Sequence, residues 1–165
     1  MGTPTYIPLA TITLGSSDGQ IVFDSIPAGF RDLVIVCNFQ NSGTASASRL
    51  RINGDTGSSY FGVWMVGQGS STGSGSESSQ TSARIFGASI GPANTFSNVG
   101  IIQVMDYSGD KHKTVLTRYG SAATDVQATA SRWANTAAVT SVTVFDILGQ
   151  TYSAGSTFSL YAIAS

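Results

Sequence analysis

Short runs rich in Val, Ile, Thr, Tyr and Phe recur at intervals of about ten residues, and Gly, Ser, Asn and Asp separate them. Runs of this length and composition predict β-strands joined by turns, and no stretch shows the period of an amphipathic helix. The predicted strands are residues 6–14, 20–24, 32–39, 47–53, 59–66, 83–88, 98–107, 113–121, 127–134, 139–147 and 156–163. We therefore expect an all-β protein.

The alternation of apolar and polar positions differs between strands. At residues 48–52 a leucine and an isoleucine share one face while two arginines share the other, which is typical of a strand with one dry and one wet face. Residues 33–36 and 99–104 are instead almost continuously apolar, as in central strands covered on both faces. We expect a facing sheet to cover one side of these strands and a neighbouring subunit to cover the other.

A subunit on the second face predicts a homo-oligomer, most simply a homotrimer. The candidate interface combines the two-sided strands with the beginning of the chain, which is predicted to be an arm over residues 1–8. The candidate interface residues are Met1, Tyr6, Ile7, Pro8, Leu33, Ile35, Ile101 and Val104.

Turn signals complete the expected architecture. Asp18-Gly19 and Asn53-Gly54 are dipeptides that favour tight hairpins between antiparallel strands. Many short strands in one chain of this size fit a two-sheet sandwich, so residues 1–165 are predicted to form a single jelly-roll-like antiparallel β-sandwich domain, with an up-and-down barrel as the alternative. Residues 67–82 are rich in Ser and Gly and are predicted to be an exposed loop.

Composition and charge narrow the range of partners. The 165 residues include 25 Ser, 18 Thr and 19 Gly, with 8 basic and 9 acidic side chains and a net charge of -1. Binding to nucleic acid requires clustered Lys and Arg, so no nucleic-acid partner is expected. No apolar run is long enough for a membrane helix and the N-terminus lacks the features of a signal peptide, so we expect synthesis in the cytoplasm without membrane insertion.

Candidate catalytic residues are scarce. His112 is the only histidine and lies in a charged turn, and no Gly-x-Ser-x-Gly motif occurs. Cys37, the only cysteine, ends an apolar run and is expected to be a buried thiol, and one Cys with one His cannot form a zinc cluster. We expect no metal, no cofactor and no enzymatic activity. The alternative is a hydrolase of host surface polysaccharide that gathers Asp residues at a subunit interface.

The aromatic residues offer a second kind of site. Aromatic side chains at strand positions usually belong to the core, but they can also form a flat platform for sugars. Trp64 and Trp133 are the first candidates for a platform, and Tyr60 lies on the same predicted strand as Trp64. Tyr60, Trp64 and Trp133 are therefore the candidate glycan-binding residues.

Several runs together resemble a known family. They are SIPAGFRDLVIV at 25–36, LRINGDTGSSY at 50–60, IIQVMDY at 101–107 and WANTAAVTSV at 133–142. The chain resembles small virion structural proteins of tailed bacteriophages over most of its length. The resemblance implies a β-sandwich displayed on the exterior of the virion and assembled in the bacterial cytoplasm. It also implies contacts with the major capsid protein or other virion proteins.

Two roles on the virion are open to such a protein. A capsid decoration or cement protein would bind the head lattice, while a tail-fibre or fibre-tip adhesin would bind host surface glycans. An adhesin is usually tethered through a long shaft, and this chain has neither the heptads nor the repeats that form one. The decoration role is therefore expected, with the adhesin as the alternative.

Overall fold

The structure, a computed structural model, describes residues 5–42, 46–87, 97–121 and 125–164. Over these residues the chain forms twelve β-strands and no helix, which confirms the all-β prediction. The strands are β1 (Tyr6–Thr13), β2 (Gln20–Phe23), β3 (Asp32–Phe39), β4 (Ser48–Ile52), β5 (Tyr60–Gln68), β6 (Ser71–Gln80), β7 (Ala83–Phe86), β8 (Asn98–Met105), β9 (Lys113–Ser121), β10 (Val126–Trp133), β11 (Val142–Asp146) and β12 (Thr157–Ile163). All except β6 coincide with predicted strands to within a few residues at each end.

The strands form two antiparallel sheets packed against each other, so the predicted sandwich is confirmed. The larger sheet has eight strands in the order β1-β12-β3-β8-β9-β10-β5-β6, and the smaller has four in the order β2-β11-β4-β7. From β1 to β5 the chain changes sheet at every connection. By contrast, β5–β6, β8–β9 and β9–β10 are pairs of consecutive strands that are neighbours within the larger sheet, and these five strands form the part of it that ends at β6.

The hydrophobic core lies between the smaller sheet and the face of the larger sheet that points toward it, which we call the inner face. Its centre is a group of aromatic rings around Phe39. The ring of Phe39 lies 5.5–6.3 Å, centroid to centroid, from those of Phe86, Tyr119, Tyr152 and Phe158. Because these residues come from both sheets and from the connection before β12, the rings join the two layers.

The two-sided apolar strands are central, as predicted, because β3 and β8 are neighbours inside the larger sheet. Alternate residues, however, point to opposite faces. Leu33, Ile35 and Val104 point inward and are completely buried in the core. The prediction that these three lie at a subunit interface is wrong, because packing within the chain already covers them. Ile101 points outward and is only half-buried.

The Asn53-Gly54 turn forms with the backbone that was expected of it. Both residues have positive φ, 51° and 67°, and the amide of Asp55 donates to the carbonyl of Ile52 at 2.9 Å. The turn nevertheless joins β4 to β5, which belong to different sheets. It is a corner of the sandwich, and the prediction of a hairpin between paired strands is wrong.

The hairpin predicted at Asp18-Gly19 is wrong as well. The flanking strands do not pair with each other, because β1 pairs with β12 and β2 pairs with β11. Asp18 instead exchanges two backbone hydrogen bonds with Tyr152, at 3.0 and 2.7 Å. The connection therefore carries the chain from one sheet to the other.

The prediction of an exposed loop at residues 67–82 is also wrong, because β6 lies within this segment and pairs with β5. Gly69, with a φ of 60°, makes the tight reversal between the two strands. β6 contains no large apolar side chain, and its glycines instead give space to an aromatic ring. A Cβ atom on Gly75 would lie 2.8 Å from the indole of Trp64.

Glu77 ties β6 to the smaller sheet. Its carboxylate forms ion pairs with Arg49 on β4 and with Arg84 on β7, the latter at 2.8 Å. All three side chains are largely buried. Burial by itself would raise the pKa of Glu77, but the hydrogen bonds from the two arginines outweigh it and lower the pKa below its ordinary value.

The N-terminal arm was predicted at residues 1–8. The structure describes this segment from residue 5 onward, and a strand begins there at Tyr6. Met1 lies outside the described residues. Tyr6, Ile7 and Pro8 belong to β1, which pairs with β12 at the edge of the larger sheet, so a free arm is the wrong description of them. Tyr6 and Pro8 are exposed and Ile7 is half-buried, and a subunit contact along this edge stays a prediction.

Candidate docking face

Exposed aliphatic side chains are concentrated on the face of the larger sheet that points away from the smaller sheet, which we call the outer face. It consists of the outward-pointing residues of β3, β8, β9, β10 and β5. The large exposed hydrophobic residues on it are Val36, Val63, Met65, Val99, Met105, Leu116 and Val126. Single exposed hydrophobic residues are common on proteins, whereas a contiguous group marks an interaction surface.

The pairing of the strands makes the group contiguous. One row of directly paired residues crosses the sheet through Val36, Ile101, Arg118, Ala128 and Met65. The adjacent row crosses it through Val34, Gln103, Leu116, Ala130 and Val63. Apart from one arginine and one glutamine, the centre of the outer face is therefore aliphatic.

A groove of about 510 Å³ runs along β10 on this face. Its floor is Ala128 and Ala130, and its walls are longer aliphatic side chains of β8 and β9 on one side and of β5 on the other. Two alanines between larger residues leave a depression, because a methyl group rises far less from the sheet than a leucine or methionine side chain does. The groove is thus a direct consequence of the sequence of β10.

Arg118 is the charged group at the centre of the outer face. Its exposed side chain lines the β10 groove and two adjacent hollows of about 790 and 490 Å³. Within the described ranges, Arg118 has no ion pair, hydrogen bond or aromatic ring as a partner. The other exposed cation of this face, Arg132, lies with its guanidinium 4.7 Å from the centroid of the Phe61 ring. Arg118 is therefore available to a partner, while Arg132 already has one.

The structure does not support Tyr60 and Trp133 as a glycan-binding platform. Both are 1% exposed, and their rings stack with centroids 6.5 Å apart. The indole NH of Trp133 donates to the carboxylate of Asp55 at 2.6 Å, and the hydroxyl of Tyr60 accepts from the amide of Ile52 at 3.0 Å. These two residues are core residues whose polar atoms are used inside the protein.

Trp64 differs from these two core residues, because it points inward from β5 but is only half-buried. The guanidinium of Arg84 lies 4.5 Å from its ring centroid, and Gly75 packs against the indole. Its own chain therefore covers part of the ring, and a glycan contact of Trp64 stays a prediction.

The motif residues that suggested a family form a structural corner. The carboxylate of Asp55 accepts hydrogen bonds from Trp133, from the hydroxyl of Ser59 and from the amide of Gly57, and these bonds lower its pKa below the ordinary value. The side-chain oxygen of Asn53 accepts from the amide of Thr140 at 2.8 Å. Residues of the 50–60 run thus fasten those of the 133–142 run, and their role is to hold the sandwich together.

Sequence reasoning identified the runs 33–36 and 99–104, which include the outer-face residues Val36, Val99 and Ile101, but missed the part of the outer face on β5, β9 and β10. Val63, Met65 and Leu116 alternate with the inward-pointing Trp64 and Val115. Apolar residues at both alternate positions of one strand were the available signal, and it was used only for residues 33–36 and 99–104. Arg118 gave no signal, because a single arginine on a strand does not show whether a carboxylate lies beside it.

The described part of the chain contains no cluster of three His, Cys, Asp or Glu side chains that could hold a metal ion. Cys37 is completely buried, and its burial raises the pKa of its thiol. In the same described ranges, no helix is long and apolar enough to cross a membrane. What the site offers chemically is apolar surface around one unpaired guanidinium.

No protein-family model and no curated protein matches this chain.

Proposed function

We propose that the chain is a virion structural protein of a tailed bacteriophage that acts as a capsid decoration or cement protein and docks through its outer face. The observation that carries this proposal is the contiguous aliphatic surface on β3, β8, β9, β10 and β5. The resemblance of the sequence to phage virion proteins supplies the context in which such a surface would be used. In this role the protein has no cofactor and no enzymatic activity.

An apolar outer face suits a docking role for a physical reason. Fully burying one aliphatic side chain stabilises a complex by about 1.5–3 kcal/mol, and Val63 and Met65 are 56% and 63% exposed before any partner binds. Only part of that free energy becomes affinity, because association restricts the motion of both partners. On a capsid, many weak contacts between linked subunits would act together, so modest affinity at each site is sufficient.

Self-association as a homotrimer is part of the proposal. The edge strand β1, with the exposed Tyr6 and Pro8, is the surface proposed for it, which leaves the outer face to the capsid. Light scattering over a range of protein concentrations tests this directly. A trimer is expected, and a monomer at every concentration would contradict it.

The adhesin alternative is weakened, because two of its three candidate residues belong to the core. Tyr60 and Trp133 are covered by their own chain, and the half-buried Trp64 packs against Arg84 and Gly75. No other observation favours glycan binding over docking to protein.

The copy number in purified virions distinguishes the two roles. A decoration protein is expected at a copy number comparable to that of the major capsid protein, whereas a fibre-tip protein is present at a small fraction of it. Particles assembled without the chain are expected to lose their DNA at a lower temperature, because a cement protein strengthens the lattice. A low copy number together with unchanged thermal stability of the particles would contradict the cement role.

A further inference from the structure

We propose that the capsid surface covering the outer face presents a carboxylate to Arg118, flanked by apolar side chains that fill the β10 groove. This inference rests on the proposed function, because it names the chemistry of the partner that the outer face binds. The partner is thus an acidic, otherwise apolar surface of a different protein.

Arg118 lies where the hollows of the outer face meet. Its side chain borders all three hollows of the outer face, including the groove floored by Ala128 and Ala130. A partner that fills the groove and touches the surrounding aliphatic side chains must therefore also cover the guanidinium. Docking on this face and desolvation of Arg118 occur together.

Among the described residues, Arg118 is not paired with a carboxylate. All nine acidic side chains of the sequence are among the described residues, and none of them forms an ion pair with Arg118. Asp32 pairs with Arg31 and also accepts from Gln103 and from the amide of Asp106, so its carboxylate is occupied. The missing counter-charge has to come from outside.

Covering an unpaired cation costs free energy. A guanidinium loses its hydration when a partner covers it, and this loss opposes binding unless an acceptor of opposite charge replaces the water. A carboxylate is the best-matched replacement, because it can accept two parallel hydrogen bonds from one guanidinium. A phosphate could match the charge, but the surrounding Ile101, Leu116 and Met65 favour a partner with apolar side chains over a nucleic-acid backbone.

A second copy of the chain docked face to face is disfavoured by the same charges. The exposed ionic side chains at the strand positions of the outer face are Arg118 and Arg132, both positive. Two copies packed through this face would bring like charges together and would supply no carboxylate. Charge complementarity therefore points to a different protein.

The test measures binding of the full chain to capsids that were assembled without it. The variants are Arg118→Ala, Arg118→Lys and Arg118→Glu, and the matched control is Lys111→Glu, which makes the same charge reversal at an exposed residue of the β8–β9 turn. Because Arg118 is exposed and unpaired, all variants are expected to fold, and their thermal unfolding curves verify this.

We expect Arg118→Ala to weaken binding about tenfold or more, Arg118→Lys to bind with intermediate affinity, and Arg118→Glu to abolish binding. The Lys111→Glu control is expected to bind like the wild type. The affinity of the wild type should fall with added salt, and that of Arg118→Ala should fall much less. Capsid substitutions that rescue Arg118→Glu in phage growth are expected at Asp or Glu positions.

The outcomes separate the two proposals. If the wild type does not bind capsids, the proposed function fails. If the wild type binds and the Arg118 variants bind equally well, the function stands and the carboxylate inference is overturned. Binding that nuclease treatment removes would identify a nucleic-acid phosphate, and self-association of the wild type that Arg118→Glu abolishes in light scattering would identify a second copy; either result also overturns the inference.

Discussion

The inner and outer faces of the larger sheet are built from alternate residues of the same strands. They differ in how completely the chain buries their side chains and pairs their polar groups. On the inner face, Ile102 and Val115 are fully buried, and the polar Thr117 donates to the carbonyl of Ile85 at 2.8 Å. On the outer face, aliphatic side chains stay exposed and Arg118 has no partner in the described chain. The inner face therefore determines stability, and the outer face is free to serve binding.

This separation follows from the period of a β-strand. Because successive side chains point to opposite faces, one strand can carry a core sequence at odd positions and a docking sequence at even positions without conflict. Substitutions on the two faces should therefore affect different measurements. The predictions below use this difference.

The largest contrast is expected between two adjacent isoleucines of β8. Ile102→Ala removes a completely buried side chain and should lower the free energy of unfolding by about 2–5 kcal/mol. Ile101→Ala, one residue away on the outer face, should lower it by less than about 1 kcal/mol. Urea denaturation of both variants measures the difference, and equal losses would show that the two faces do not have separate roles.

A smaller loss of stability is expected when the carboxylate of Glu77, which joins β6 to the smaller sheet, is neutralised. Glu77→Gln leaves Arg49 and Arg84 largely buried without a counter-charge, which should cost about 2–3 kcal/mol. Ser76→Ala, at an exposed position of the same strand, is the matched control and should be nearly neutral. In Glu77→Gln, the backbone amides of β6 should also exchange their hydrogens before those of the rest of the larger sheet. Simultaneous exchange of both would contradict the role of Glu77 in holding β6 in place.

The Asp55 corner is expected to give a pH-dependent effect of about 1–2 kcal/mol. Hydrogen bonds, first of all from Trp133, lower the pKa of Asp55 in the folded protein. Its stabilising contribution is therefore complete above the unfolded pKa near 4 and is lost as the pH falls through the lower folded pKa. Asp55→Asn should destabilise the protein at neutral pH and should lose less additional stability than the wild type on acidification. Denaturation of both proteins, followed by tryptophan fluorescence at neutral pH and at a pH below the folded pKa of Asp55, measures the two losses of stability.

The smallest effect on stability is expected on the outer face itself. Leu116→Thr should change the free energy of unfolding by no more than about 0.5 kcal/mol, because the side chain is already exposed. The neighbouring Val115→Thr places a hydroxyl in the core and should cost clearly more. If Leu116→Thr proved the more destabilising of the two, the assignment of inner and outer faces along β9 would be wrong.

The sequence predicted most of the strands because their apolar residues alternate or cluster between turn residues. β6 was missed because its Ser- and Gly-rich sequence has no strand signal of its own. It becomes a strand through pairing with β5, through the fit of Gly75 against Trp64 and through the ion pairs of Glu77. Tertiary contacts of this kind are absent from local sequence patterns.

The candidate site was predictable only in part for a similar reason. Continuous apolar runs correctly indicated strands that carry apolar side chains on both faces. Within Leu33–Val36, however, every residue is apolar, so the run does not show which residues point inward. Leu33 and Ile35 were therefore assigned to an interface although they belong to the core. The hairpin predicted at Asn53-Gly54 failed differently, because turn dipeptides specify the local backbone and not the sheet to which the next strand belongs.

The most direct test of the docking account compares two pairs of exposed aliphatic residues in binding to capsids that lack the chain. Val63→Thr combined with Met65→Gln alters the outer face, and Ile147→Thr combined with Leu148→Gln makes a matched change in the turn after β11. Both double variants should unfold like the wild type. The account predicts that the outer-face variant binds about tenfold or more weakly while the turn variant binds normally. Normal binding of the outer-face variant would contradict it.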